Sequence, residues 1–258
     1  MNAAVKILIA GLAFLLPAIA HAKCTSSGIY TVSQNPTLNQ NGWVILEFYA
    51  SSQQLVAELD KKYPIYLQAG KEIITLKPIE VLRGEFLVTQ VVFKPASTLK
   101  EGQTYTLHID KLPEYETEPR QYNNGSGKWE AVTFRVRGYT DEQPPAFTSL
   151  PAEHKKTMVQ FGCGPDRWVC FSLAVQDESE TFVRARVKNI GTGLVTEYIL
   201  AIENGQVMVG HGMCSGPFHF SGGNDFEVSF RLVDQSGNKS KPTTPVLFTA
   251  PVSPTDEG

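Results

Sequence analysis

The chain has 258 residues, 23 basic against 26 acidic side chains, a formal net charge of −3 and a hydrophobic fraction of 42%. That length accommodates two domains of about a hundred residues, each able to bury a core of its own. The balanced charge, with no basic block, excludes nucleic acid as the expected partner, because that partner selects for a concentrated cationic face.

Residues 1–22 read as a cleaved signal peptide. Lys6 gives a basic start, residues 7–20 are apolar, and Ala20-His21-Ala22 fits a small-x-small cleavage site. Pro17 interrupts the run, which is shorter than the roughly 20 residues a spanning helix needs, so no transmembrane anchor is expected in the mature chain. Lys23 stands where a lipoprotein signal wants a small residue, which argues against a lipid on Cys24. The expected location is the periplasm, the cell surface or the medium.

Residues 23–138 read as a first β domain. Val44, Leu46 and Phe48 share one face of a strand at 43–49, the period-2 pattern of a half-buried sheet. Segments 65–67 and 73–76 flank a turn at Ala69-Gly70-Lys71. Further strands are expected at 86–93, at Tyr105-x-Leu107-x-Ile109 and at Val132-x-Phe134-x-Val136. Only 53–62 spaces its apolar residues in a helical manner, through Leu55, Val56 and Leu59, and is expected to be a short helical turn. Residues 139–145, with Pro144-Pro145, form an extended linker.

A second β domain is expected over 146–251. Its strands fall at 157–161, 168–175, 183–188, 195–202 and 206–209, with Asn204-Gly205 as the strongest turn signal. Phe226, Val228, Phe230 and Leu232 alternate with polar residues up to the turn Asp234-Gln-Ser-Gly-Asn238, after which 245–248 closes a hairpin. The Pro-rich, acidic tail 252–258 is expected to be disordered.

These residues carry a resemblance. Asn35-Pro36, Val44-x-Leu46-x-Phe48, Phe93-x-Pro95 and Leu99-x-x-Gly102-x-x-Tyr105-x-Leu107 resemble a bacterial immunoglobulin-like domain of the type found in S-layer and other surface proteins. Pro144-Pro145 and Val233-Asp-x-x-Gly-Asn-x-Ser240 make the second half similar to fibronectin type III modules. The resemblance implies an all-β chain of two tandem Ig-like/fibronectin-III-like β-sandwich domains, in an extracytoplasmic setting, with no inherited catalytic residue.

Four cysteines in an exported chain default to disulfides. In a seven-strand sandwich the loops before the second and sixth strands lie at one end, which favours a Cys163–Cys214 bridge. Cys170–Cys214 is the alternative, disfavoured because Val169, Phe171, Leu173 and Val175 take the core face and turn Cys170 outward. Such a bridge stabilises by about 2–4 kcal/mol, and Cys24 and one other cysteine are left over.

His211, Cys214 and His219, with Cys163 or Cys170, offer a metal alternative, but their spacing matches no established zinc pattern, and no metal or cofactor is expected. Asp177, Glu178 and Glu180 read as a solvated turn, and Asp234 to Asn238 lacks the alternating oxygens of a calcium loop. No nucleophile elbow or P-loop is present, so the chain is not expected to be an enzyme.

The best binding candidate is the excursion 113–131, which carries Tyr115, Tyr122 and Trp129. Aromatics on a long loop supply rigid contact area for a sugar face or a peptide. The competing reading folds Trp129 back as a core plug and makes Asn124-Gly125 the tip of an extended hairpin. Together these features predict a non-enzymatic envelope or surface protein that binds a glycan or protein partner through domain-end loops, or a structural spacer or accessory subunit of an envelope assembly.

Overall fold

The computed structural model describes residues 27–123 and 125–252. The leader 1–22, Cys24, Asn124 and the tail from 253 lie outside the described residues. The first half contributes β1 (Gly28–Thr31), β2 (Thr37–Leu38), β3 (Val44–Tyr49), a 3₁₀ helix (Ala50–Glu58), β4 (Ile65–Ala69), β5 (Glu72–Arg83) and β6 (Val88–Pro95). β7 (Thr104–Ile109), β8 (Arg120–Asn123), β9 (Lys128–Ala131) and β10 (Thr133–Val136) follow. The second half holds β11 (Ala146–Phe161), β12 (Gly164–Gln176), β13 (Thr181–Asn189), β14 (Val195–Ala201), β15 (Gln206–His211), β16 (Asp225–Asp234) and β17 (Val246–Thr249).

The strand order of the first half is β2-β10-β7-β4-β5-β6-β3-β1-β8-β9. β5 serves two layers. Its first residues pair with β4 and its later ones with β6, with a register shift between Pro78 and Glu80. Pro78 lacks a backbone donor, and a bulge there bends the strand. Leu67, Leu107 and Phe134 on one layer therefore meet Leu46, Phe48, Val91 and Phe93 on the other in a single buried cluster. The helical spacing at 53–62 corresponds to the 3₁₀ helix, which seats Leu55 beneath it, with Leu59 buried just beyond its end.

In the second half a three-stranded sheet, β11-β12-β15, faces a four-stranded one, β14-β13-β16-β17. This split is the antiparallel sandwich arrangement of Ig-type folds. The Asn204-Gly205 turn joins β14 to β15 with φ of 52° and 71°, both positive, as a tight two-residue hairpin turn demands. The turn after β16 is tied by Asp234, whose Oδ1 accepts from the backbone of Ser236 (2.8 Å) and Asn238 (2.9 Å). Gly237 within it has φ 89°, and a Cβ there would lie 2.0 Å from the Trp43 ring. Only glycine lets this turn close on the first half.

The two halves are not beads on a string. β3 is buried on both faces: Val44, Leu46 and Phe48 enter the first core, while Ile45 joins the second cluster with Val32, Leu82, Val88 and Val92. That second cluster also contains Tyr198 and Ile199 of β14 and the core of the second sandwich. At its centre Gln90, fully buried, donates to the Ile199 carbonyl (2.9 Å) and accepts from the Ile199 N–H (3.2 Å). β14 is an edge strand, so Gln90 supplies partners that a neighbouring strand would otherwise provide. Glu180 accepts from the backbone of Gln34 (2.8 Å) and Asn35 (3.2 Å), and Phe86 forms a two-way backbone bridge with Gly216. The linker is held too: Asn41 and Asn238 both donate to the carbonyl of Asp141.

Candidate binding groove

The excursion after β7 folds into the β8–β9 hairpin, which extends the first sheet beyond β1. It leaves Tyr122 and Trp129 each 51% exposed, so Trp129 is not a core plug. Their rings meet edge to face at 5.4 Å. Tyr115 is 70% exposed and does not join them. The sequence reading missed the partners that do. Tyr30 of β1 lies 5.0 Å from Trp129, and Tyr49 of β3 lies 5.4 Å from Tyr30. Tyr49, Tyr30, Trp129 and Tyr122 thus form a continuous file of rings across two strands and the hairpin.

This file lines a groove between the first sheet and the β14–β15 turn. Its outer part, about 860 Å³, is bounded by Tyr30, Arg120, Tyr122 and Trp129 on one side and by Ile202, Glu203 and Asn204 on the other. Its inner part, about 640 Å³, continues past Gln34 and Glu203 to Glu47, Tyr49, Trp168 and Met208. Tyr30, Glu47 and Gln90 stand in one row across β1, β3 and β6, because each is the register partner of the next. Glu47 Oε2 accepts from the Tyr49 hydroxyl (2.8 Å) and Oε1 from Gln90 at 3.4 Å. Burial pushes the Glu47 carboxyl above the usual glutamate range, against the opposing pull of the hydrogen bonds from Tyr49, Tyr198 and Gln90. Burial likewise raises the Tyr198 hydroxyl, with Glu47 adding to it. The lining is aromatic and polar, with Glu47, Glu203 and Arg120 as its charged groups.

The cysteines require a correction. Cys214 is disulfide-bonded, and Cys170 is a free, buried thiol. The Cys170–Cys214 alternative is therefore excluded, while Cys163–Cys214 is kept as a proposal. Cys163 occupies the turn of the β11–β12 hairpin, the loop before the second strand of this half. Cys170 sits in the middle of β12, opposite Lys155 and Met208, buried, with its thiol donating to Gln206 Oε1 at 3.2 Å. A position inside a three-stranded ladder cannot swing out to a loop cysteine. The turn reading did place the right ends together, since a Cβ on Gly164 would lie 3.4 Å from the Met213 carbonyl.

The bridge also removes Cys214 as a thiolate ligand. His211 and His219 instead stack at 4.7 Å and pack against Phe86, with His211 Nδ1 2.8 Å from the Gly212 carbonyl. Burial holds the His211 imidazole below its ordinary range, so it packs as a neutral ring at the seam. A separate group of carboxylates, Asp141, Asp177 and Asp234, lies within 4.8 Å of one another beside the linker.

No family model matches the chain, and no curated protein does. Solved structures of Ig-like and fibronectin-type proteins align at low similarity. A cytokine receptor complex is 8% identical with a TM-score of 0.26, covering 88% of this chain and 99% of that one. The FN1–FN3 domains of chicken CNTN1 are 13% identical with a TM-score of 0.28, covering 86% of this chain and 64% of that one. The bacterial S-layer protein rSbsC(31–844) is 12% identical with a TM-score of 0.29, covering 86% of this chain and 32% of that one. The class assignment therefore rests on the strands themselves. This is an all-β protein of packed antiparallel sandwiches, with no helix among its described residues long and apolar enough to cross a membrane.

Proposed function

We propose that this chain is a non-enzymatic, exported binding module that holds an envelope glycan or protein partner in the aromatic groove. One observation carries the reading: four aromatic rings in file, two of them half exposed, along a groove open at the surface. Exposed aromatics that are neither scattered nor packed inward mark recognition surfaces. The groove lies at the seam between the halves, where ligand sites preferentially form. Tyr122 and Trp129 remain in the proposal. Tyr30 replaces Tyr115 as their partner.

The test is retention of envelope polysaccharide and protein fractions by the immobilised mature chain and by its Tyr122→Ala and Trp129→Ala variants. Each truncation is expected to weaken retention about tenfold or more, by roughly 1–3 kcal/mol, with the melting temperature unchanged. Unaltered retention in both variants would remove the groove from the function. The alternative role, a stiff spacer or accessory subunit, draws support from the hydrophobic cluster shared by both halves. It would show as undiminished assembly in both variants.

A further inference from the structure

The inner groove holds two carboxylates, Glu47 and Glu203, and no lysine, arginine or histidine among its lining residues. Glu203 is already engaged, accepting from Gln34 Nε2 at 2.7 Å. Glu47 is different. Its neighbours Tyr49, Gln90, Tyr198 and Tyr30 are all neutral, and no ion pair among the described residues compensates it. A carboxylate enclosed by neutral groups is costly to ionise, and a cation arriving from outside would relieve that cost.

We propose that the Glu47 pocket receives the ammonium group of a lysine side chain, carried by a partner polypeptide that lies along the aromatic file. The inference rests on the groove reading above and names the chemistry that reading leaves open. The Tyr49 hydroxyl already donates to Glu47 Oε2, so a guanidinium fork, which needs both oxygens side by side, would compete with it. A compact ammonium needs only one, and it also gains from the faces of the rings beside it. The amides of Gln34, Asn123, Asn204 and Gln206 along the groove offer both donors and acceptors, which a peptide backbone requires. A neutral glycan would offer Glu47 hydroxyl donors but no countercharge.

The proton balance is explicit. In the unliganded protein burial favours the neutral carboxyl. Binding forms an ammonium–carboxylate pair, and the carboxyl proton passes to solvent. Affinity should therefore rise with pH until Glu47 is ionised without the ligand, and then level off.

The experiment is calorimetric titration of the full mature chain with a glycine-flanked tetralysine peptide. Tetra-arginine and tetraglutamate peptides, a chitosan oligomer and a neutral cello-oligosaccharide serve as comparisons, at pH 5 and pH 7.5. The expected result is binding of the lysine peptide at least tenfold tighter than all the others, tighter at pH 7.5, with net proton release in two buffers of different ionisation enthalpy. Glu47→Gln should weaken it at least tenfold and abolish the pH dependence, while keeping the Tyr49 contact and the melting temperature. Glu203→Gln, at an exposed position, should have a smaller effect. Lysine-peptide binding that Glu47→Gln leaves intact, or equal binding of arginine peptide or chitosan, overturns the proposal. A neutral glycan bound in a manner sensitive to Trp129→Ala but not to Glu47→Gln would sink the ammonium site and leave the groove standing. Indifference of every ligand to Trp129→Ala would sink both.

Discussion

Asp234 shows what a single side chain contributes to this molecule at neutral pH. Its carboxyl is pushed up to about 6, first by burial and then by repulsion from Asp141 and Asp177, against the pull of Asn238. A raised carboxyl pKa favours the protonated folded state. Stability should therefore fall as pH rises from about 4, the unfolded value, through about 6. The loss is on the order of 2–3 kcal/mol by linkage. Asp177→Asn removes one repelling charge while its remaining oxygen still accepts from Ser179. Urea unfolding at pH 4.5 and pH 7 should show this variant more stable at pH 7 by about 1 kcal/mol, with little change at pH 4.5. An unchanged difference between the two pH values would show that the three carboxylates do not interact.

Among the elements, the β11–β12 hairpin positions two of the cysteines, Cys163 at its turn and Cys170 in its ladder. Cys170 is buried as a free thiol, while Cys214 is disulfide-bonded. Non-reducing peptide mapping of the native protein should find Cys214 in a bridge, and should label Cys170 only after denaturation. A peptide joining Cys170 to Cys214 would contradict the position of Cys170 inside the ladder. The same hairpin shows where sequence patterning fails. β11 runs for 16 residues, yet only its last five were visible as a strand. It is a sheet edge, mostly exposed, bulged near Ser149 and carrying His154-Lys155-Lys156, so no buried face forces alternation. β3 and β16 were legible for the opposite reason, since Val44, Leu46 and Phe48 in one and Phe226, Val228, Phe230 and Leu232 in the other all turn into a core. At the groove, Tyr122 and Trp129 were visible because aromatics stand out in a polar loop. Tyr30, Glu47 and Tyr49 were not, because alternation alone cannot tell a solvent face from a face covered by the other half.

For the whole molecule, the shared cluster and the Gln90–Ile199 pairing make the two sandwiches one folding unit. Calorimetric unfolding should give a single transition rather than two. Gln90→Leu leaves the Ile199 N–H and carbonyl buried without partners, at a cost of about 2–4 kcal/mol, and should lower the whole transition. A second, independent transition in the wild-type protein would refute this coupling. The doubly covered β3 sheet has an evolutionary and practical corollary. Ordinary modules of this kind can be excised, duplicated or shuffled like interchangeable parts. Here a cut at the Asp141 joint would strip Ile45, Val88 and Val92 from one piece and Tyr198 from the other. Each fragment would then present a sticky apolar wall prone to aggregation, so the pair is to be expressed and engineered whole.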